Sequence, residues 1–186
     1  MTSPSVRDWP ATRLGTVPDD DLAADVFADV LAANSAYSET FEHAGLEGNA
    51  AKHLAVLTCM DSRIDPLGML GLVPGDAKIL RNAGARVTDD VLRTLVLASY
   101  LLTVDRIMVV QHSGCAMAGG DESYVHEAIE RAGGPDSRSL SFLTTGDQEG
   151  AIRSDVQRIK SWPYLGKVSV GGFIYDLHTG ALRQIC

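Results

Sequence analysis

The sequence predicts an α/β fold: a single domain with a mainly parallel central sheet flanked by helices, one antiparallel edge strand and an N-terminal helical arm. Short apolar runs of strand length alternate with segments of helical periodicity, which is the pattern of strands joined by helices. Near the end of the sequence, two apolar runs are separated only by His178-Thr-Gly180, a turn that joins antiparallel strands. The 186 residues are enough for one domain with a sizeable core.

The N-terminal region divides into an arm and a helix. Residues 1–18 contain three prolines and few apolar side chains, so we expect a flexible arm. The domain itself, residues 19–186, begins with a helix, because Asp19-Asp-Asp21 suits a helix N-terminus and apolar residues follow at helical spacing. This helix is predicted to end near Glu42.

The remaining segments alternate between the two kinds of element. Strands are predicted at residues 54–59, 77–81, 106–111, 168–177 and 181–185. Helices are predicted at residues 88–102, 123–132 and 148–162, and a long loop at 133–146. Thr88 is the expected N-cap of the first of these helices, with Val91, Leu95 and Leu102 on its buried face. This order predicts helices on both faces of the sheet, with the final hairpin adding one antiparallel strand at an edge.

Composition excludes several classes of function. A formal net charge of −8 opposes binding to nucleic acid and gives no attraction to an anionic membrane. The longest apolar stretch, residues 95–104, contains polar side chains and is far shorter than the ~20 residues of a membrane-spanning helix. The first residues lack the apolar segment of a secretory signal, and three cysteines do not make a disulfide framework. We therefore expect a cytoplasmic protein that binds neither nucleic acid nor a membrane.

Three side chains form a candidate metal site. Cys59 ends the first predicted strand, His112 follows the third, and Cys115 lies three residues further on. Because the carboxyl ends of parallel strands share one edge of a sheet, these residues can meet in space. Two thiolates and an imidazole suit Zn²⁺ and leave its fourth tetrahedral position open, as in catalytic sites. A single buried cysteine is more often core than ligand, and Cys186 is interpreted as a bystander.

Asp61 and Arg63 follow closely after Cys59. Asp61 can reach the same metal, and Arg63 can hold its carboxylate in a two-bond fork. The alternative is a loop ion pair with no part in catalysis.

These motifs together resemble the β-carbonic anhydrases. The family signature is C-x-D-S-R, here at residues 59–63, followed about fifty residues later by H-x-x-C, here at residues 112–115. Arg81-Asn-Ala-Gly84 is similar to the family's R-N-A segment, and Val87-Thr-Asp-Asp-Val91 resembles its compact bacterial branch, which also includes carbonyl sulfide hydrolase-like members. The resemblance covers residues 50–120 well and the final hairpin more loosely.

The resemblance implies a ligand set, an assembly and roles for the neighbouring residues. It implies Zn²⁺ on Cys59, His112 and Cys115, and a homodimer or homotetramer in which the N-terminal helix embraces a partner. In such a site, Asp61 is a fourth ligand in a closed state, and Arg63 takes Asp61 away so that water can bind.

The resemblance defines the substrate pocket and the path of proton transfer less closely than it defines the metal ligands. Residues 82–84, Asn82, Ala83 and Gly84, are candidates for the substrate pocket. Three histidines are candidate proton shuttles: His43, His53 and His126. Ser113-Gly114 and Ala116 depart from the commoner family pattern, and this leaves the shape of the pocket open.

The predicted function is that of a carbonate dehydratase, a zinc hydro-lyase in which zinc-bound hydroxide attacks CO₂ to give bicarbonate. One alternative is hydrolysis of carbonyl sulfide or carbon disulfide on the same scaffold, because the attack on carbon is similar. Another is a closed zinc protein without turnover. A nucleotide-binding domain is disfavoured, because no glycine-rich phosphate loop follows any predicted strand.

Overall fold

The computed structural model describes residues 26–186, and within them five strands form one sheet. The predicted arm, residues 1–18, and the start of the predicted first helix lie outside the described residues. In chain order the strands are β1 (Leu54–Cys59), β2 (Ala77–Asn82), β3 (Arg106–His112), β4 (Ser169–Tyr175) and β5 (Leu182–Gln184). Their order across the sheet is β2-β1-β3-β4-β5. β1 to β4 pair in parallel, and β5 pairs antiparallel with β4, which confirms the predicted fold class.

Four α-helices and three short 3₁₀ helices accompany the sheet in the described residues. The α-helices are α1 (Ala28–Glu39), α2 (Asp89–Leu101), α3 (Glu122–Arg131) and α4 (Gln148–Lys160). The 3₁₀ helices are Gly68–Leu70, Ala83–Ala85 and Ala116–Ala118. The predicted loop at 133–146 contains no helix or strand. The first helix ends three residues before the predicted Glu42, and the other predicted bounds agree within about two residues.

Each of the last three α-helices begins at a side chain that accepts a backbone hydrogen bond. Thr88 accepts from Val91 N as predicted, and aspartates cap α3 and α4 in the same way. Such caps satisfy N–H groups that have no partner in the first turn of a helix. On α2, Val91 and Leu95 are buried as expected, whereas Leu102 lies just past the helix and is half-buried.

The core lies mainly on one face of the sheet. Ala55 and Leu57 of β1 and Ile107 and Val109 of β3 pack there with side chains from both α2 and α4. On the opposite face, Val56 and Val110 pack with residues of the Gly68–Leu70 segment, and no described α-helix contributes to that cluster. The prediction of helices on both faces is therefore wrong for the described residues.

The handedness of the connections explains this difference. Crossovers between parallel strands are right-handed, so connections that run in opposite directions along a sheet lie on opposite faces. The connections β2–β3 and β3–β4 run in one direction and carry α2 and α4. Only the β1–β2 connection runs in the other direction, and it contains a 3₁₀ helix instead of an α-helix. The opposite face is consequently covered by a short segment.

The first helix packs on nothing within the described chain. None of its residues is buried, and the apolar side chains in and beside it are exposed: Val26, Phe27, Val30, Leu31, Tyr37 and Phe41.

Among residues 26–186, no helix combines the length and the apolar character needed to cross a membrane.

Close packing of α4 on β4 depends on Gly172. A Cβ at this position would collide with Ile152 and would lie 3.1 Å from both Val156 Cγ2 and Cys186 Sγ. We expect Gly172→Ala to lower the free energy of unfolding by about 1–3 kcal/mol, because the buried helix must shift. Urea denaturation measures this loss. Gly146→Ala is the matched control, since Gly146 is exposed with nothing within 4 Å of an added Cβ. Equal stability of the two variants would contradict this packing account.

Candidate metal centre

Cys59, His112 and Cys115 meet at the carboxyl edge of the sheet. Cys59 is the last residue of β1 and His112 the last residue of β3, and these strands are parallel neighbours. The two Sγ atoms are 4.0 Å apart, and the three potential ligand atoms lie within 4.8 Å of one another. The exposed fractions of the residues are 4%, 1% and 5%. The structure thus brings together the three side chains that the sequence pattern selected.

The geometry of this cluster fits a tetrahedral metal ion. Two thiolates bound at the usual zinc–sulfur distance would be separated by about 3.8 Å, close to the observed spacing. His112 Nδ1 lies 2.9 Å from the carbonyl oxygen of Ser113, so an Nδ1–H donates there and leaves the lone pair on Nε2. Nε2 is buried and has no hydrogen-bond partner among the described residues. A buried imidazole nitrogen without a partner, facing two thiols, is suited to metal binding.

The two thiols have opposite pKa shifts. The Cys115 thiol, the His112 side chain and the backbone N–H groups of Asp61 and Gly84 lower the pKa of Cys59 to about 4, against the effect of burial. The hydrogen bond with Cys59, burial and the negative charge on Cys59 raise the pKa of Cys115, while the N–H groups of Met117 and Ala118 oppose this. One negative charge is therefore favoured on the pair, and a second requires a nearby cation.

Asp61 is held by Arg63 at the edge of the cluster. Its Oδ1 accepts from Arg63 Nε at 2.9 Å and from the Arg63 backbone N–H at 3.0 Å, and its Oδ2 accepts from Arg63 Nη2 at 2.6 Å. Asp61 Oδ2 is 3.8 Å from His112 Nε2. The hydrogen bonds from Arg63 hold the pKa of the Asp61 carboxyl well below its usual range. The carboxylate is thus close to the cluster and turned toward the guanidinium.

Arg81 shapes the loop that carries Asp61. Its guanidinium donates to the carbonyl oxygens of Cys59 at 3.0 Å, Asp61 at 2.7 Å and Ile64 at 3.3 Å. From the sequence alone, Arg81 is part of the Arg81-Asn-Ala-Gly84 motif, and nothing there indicates this structural role. The available signal was its place on β2, directly beside Thr58 in the sheet and so next to the loop after β1.

The three candidate pocket residues have different positions. Asn82 accepts from Arg86 N at 2.9 Å and donates to Arg86 O at 2.7 Å, so its amide closes a turn. Ala83 lines the pocket at the cluster. Gly84 is buried in a left-handed conformation with φ of 73°, and its N–H helps to lower the pKa of Cys59. A Cβ on Gly84 would lie 2.9 Å from Met117 Cβ.

The pocket beside the cluster has a volume of about 460 Å³. It is lined by the three cluster residues and by Met60, Asp61, Ser62, Arg63, Ala83, Ala116 and Met117. Apart from the cluster and the Asp61–Arg63 pair, this lining is mostly apolar. Such a pocket suits a small uncharged molecule.

The candidate proton shuttles lie elsewhere and do not line this pocket. His53 Nδ1 is 2.7 Å from the carbonyl oxygen of Thr103 and precedes β1, whereas the cluster lies at the other end of that strand. His126 contacts Ser137 and Phe142, and His43 packs against Phe41.

Removing Arg63 tests the electrostatics of this pair. We expect Arg63→Ala to raise the pKa of the Asp61 carboxyl by about one to three pH units, because its strongest hydrogen-bond donor is lost. The ¹³C chemical shift of the Asp61 carboxyl carbon, followed against pH in metal-free protein, measures this change. Arg93→Ala, which breaks an exposed pair with Asp90 on α2, should leave Asp61 unaffected. An unchanged titration in Arg63→Ala would show that another group holds the charge.

Comparisons with known proteins agree with this geometry. A family model described as carbonic anhydrase matches residues 54–134. β-Carbonic anhydrase 1 of Mycobacterium tuberculosis is 34% identical over 158 residues, covering 84% of this chain and 96% of the relative. A carbon disulfide hydrolase of Acidianus is 46% identical over 157 residues, covering 72% and 77%.

A solved structure extends the likeness to three dimensions. Carbonic anhydrase from Streptococcus mutans superposes with a TM-score of 0.80 at 36% identity, covering 86% of this chain and 97% of that one. The residues matched by the family model, 54–134, include both cysteine-bearing segments. On this sequence and structural likeness, the chain belongs to the β-carbonic anhydrase family.

Proposed function

We propose that the protein is a zinc-dependent carbonic anhydrase that converts CO₂ and water to bicarbonate. The observation that carries this proposal is a three-ligand cluster with Asp61 held away by Arg63, next to an open, mostly apolar pocket. A set of three protein ligands leaves one coordination position for reaction. Membership of the family supports the assignment.

The chain's own residues have distinct parts in the proposed reaction. Cys59, His112 and Cys115 would hold zinc, which would supply a hydroxide nucleophile by lowering the pKa of a bound water. Arg63 occupies both carboxylate oxygens of Asp61 and so keeps Asp61 from closing the site. Asp61 Oδ2, which lies 3.8 Å from His112 Nε2, would accept a hydrogen bond from the nucleophile and so orient its lone pair. Ala83, Ala116 and Met117 provide an apolar surface for a linear, uncharged substrate.

Hydrolysis of carbonyl sulfide or carbon disulfide is the second candidate function. The mostly apolar lining suits these molecules as well as CO₂, and one carbon disulfide hydrolase is 46% identical to the chain. Paired assays on CO₂, carbonyl sulfide and carbon disulfide with one preparation separate the two functions. Faster turnover of the sulfur compounds would overturn the primary assignment.

A closed zinc protein is less well supported, because Asp61 is paired with Arg63. The cytoplasmic location stays a prediction.

We expect about one zinc ion per chain, because all three ligands come from one chain. Replacing Cys59 or Cys115 by Ala removes one thiolate ligand and should reduce the zinc content to near zero. Metal analysis of the purified variants measures this. Cys186→Ala is the matched control, since Cys186 is outside the cluster. Zinc loss in the control, or iron in the wild-type protein, would refute the ligand assignment.

Activity should be low near neutral pH and rise under alkaline conditions. Arg63 keeps the pKa of Asp61 low, so Asp61 is ionised over this whole range and does not cause the rise. Two thiolates give the metal more negative charge than three imidazoles, so the nucleophile should form above the pH of about 7 seen with three histidines. Initial hydration rates against pH test this expectation. A flat profile from mildly acid to alkaline pH would contradict it.

The same assay tests the role of Arg63. Arg63→Ala should lower the rate by about 100-fold with zinc retained, because Asp61 is then free to occupy the metal. Asp61→Ala should also lower the rate without loss of zinc. Arg93→Ala serves as the control for loss of one arginine. Full activity in Arg63→Ala would show that Arg63 does not govern the site.

A dimer or tetramer is expected from the exposed apolar side chains of α1. Val30 and Leu31 have more than half of their surface exposed, Tyr37 lies two turns after Val30 on the same face of α1, and Val26 and Phe41 beside the helix are exposed as well. We expect Val30→Asp to dissociate the assembly, whereas Ala32→Asp, on the other side of the helix, should not. Sedimentation at micromolar concentration gives the answer. A monomeric wild-type protein would contradict the proposed assembly.

A further inference from the structure

Arg86 and Asp155 form a buried ion pair outside the pocket. Arg86 Nε donates to Asp155 Oδ2 at 2.7 Å, and Nη2 lies 3.4 Å from Oδ1. The side chains are only 15% and 6% exposed, and neither residue lines the pocket. A third guanidinium nitrogen, Nη1, donates to the carbonyl oxygen of Leu143. Nothing in the proposed reaction uses this pair, although burying two charges costs free energy unless their geometry is well defined.

The pair fixes the end of the turn that follows β2. The turn starts at Asn82, which the sheet holds beside Cys59, and ends at Arg86, whose backbone is bonded to the Asn82 amide. Between them, Gly84 packs against Met117, and its N–H helps to lower the pKa of the Cys59 thiol. Ala85 is fully buried with φ of 54°, a left-handed conformation that side chains other than glycine rarely adopt. Such a strained conformation persists only where neighbouring contacts hold it in place. The hydrogen bonds of Arg86 hold the residue that directly follows Ala85.

The contact with Leu143 extends the network toward the second thiol. Leu143 is itself left-handed, with φ of 59°, and its N–H donates to the Glu122 carboxylate. Two residues later, Thr145 N donates to the carbonyl oxygen of Met117 at 2.9 Å. Ala118 N donates to the carbonyl oxygen of Cys115 at 3.0 Å, and the N–H groups of Met117 and Ala118 oppose the rise in the pKa of the Cys115 thiol. Hydrogen bonds, together with the short chain segment from Leu143 to Thr145, thus connect Asp155 and Arg86 to the two turns that lie beside the sulfur atoms.

We propose that Arg86, anchored by Asp155, is a positioning residue of the metal centre that holds the Gly84 N–H on Cys59 and, through Leu143, steadies the Met117–Ala118 turn on Cys115. Hydrogen bonds to a thiolate withdraw part of its negative charge and fix its direction. The ion pair therefore governs how tightly the thiolates bind a metal and how much charge they donate to it. This inference rests on the proposed metal site and is independent of the substrate.

The guanidinium fork is essential to this role. It presents several N–H donors in one rigid plane, so one side chain can bind a carboxylate and a carbonyl oxygen in fixed directions. A lysine keeps the charge but has no fork. Arg86→Lys should therefore have an intermediate effect, and Arg86→Gln and Asp155→Asn the full effect.

Metal affinity and cobalt spectroscopy test the proposal. We expect Arg86→Gln and Asp155→Asn to raise the zinc dissociation constant, measured by competition with a chelator, by about 10- to 100-fold. In the Co²⁺-substituted protein, the thiolate-to-cobalt absorption should move to longer wavelength, because a thiolate with fewer hydrogen bonds gives up an electron more easily. The control is Ile159→Ala on the same helix, which creates a core cavity without removing a member of the network. It should lower the melting temperature and leave both metal measurements unchanged.

The opposite results would overturn the proposal. If the Arg86 and Asp155 variants only melt earlier, with unchanged zinc affinity and cobalt spectrum, the ion pair is a stability element alone. Should these variants fail to fold, wild-type protein loaded with ¹¹³Cd and labelled with ¹⁵N decides the matter. A scalar coupling between the metal and the Gly84 amide proton supports the N–H to sulfur bond, and its absence refutes it. A protein that shows this metal behaviour but hydrates no CO₂ would contradict only the proposed reaction.

Discussion

The close approach of two buried sulfur atoms is the constraint on which the metal centre depends. At 4.0 Å, Cys59 and Cys115 cannot both be negative in a buried site without compensation. The protein supplies part of that compensation through backbone N–H groups on both sides, and it leaves His112 Nε2 facing the remaining space. A divalent cation bound by the three side chains would complete the balance of charge. The backbone N–H groups of the turns around the cluster thus help to stabilise the negative charge of two neighbouring thiolates.

The sheet provides the rigidity that this arrangement requires. Every residue of β1 is buried, and β1 lies between two parallel neighbours. Parallel pairing ends β1 and β3 at the same edge, so two ligands are positioned by strands and only Cys115 depends on a loop. The loop residues that act on the cluster are in turn held by arginines. Arg81 binds three carbonyl oxygens of one loop, and Arg63 binds the carboxylate that the loop presents.

The sequence predicted the fold class and the metal cluster because both depend on local patterns. Apolar runs mark the strands, and ligand residue types at two strand ends imply a meeting point once the sheet is parallel. These local patterns do not predict which face of the sheet the helices cover, because that depends on the direction in which each crossover connection runs along the sheet. The Arg86–Asp155 pair was also missed, because its partners are 69 residues apart and meet only when α4 packs on the sheet. The amide of Asn82 was assigned to a pocket although its neighbour in space is the Arg86 backbone, a contact that no sequence spacing reveals.

The spacing of the two thiols also has a consequence for the redox chemistry of the protein. Oxidation to a disulfide needs a thiolate beside a second sulfur, and the low pKa of Cys59 next to Cys115 meets that condition whenever the cation is removed. To form the bond, the sulfur atoms need to close from 4.0 Å to about 2.05 Å. A metal bound to both sulfurs would block this reaction. Removal of such a metal by a chelator in air would therefore allow the two cysteines to oxidise, and a reductant would be needed before the site could bind metal again.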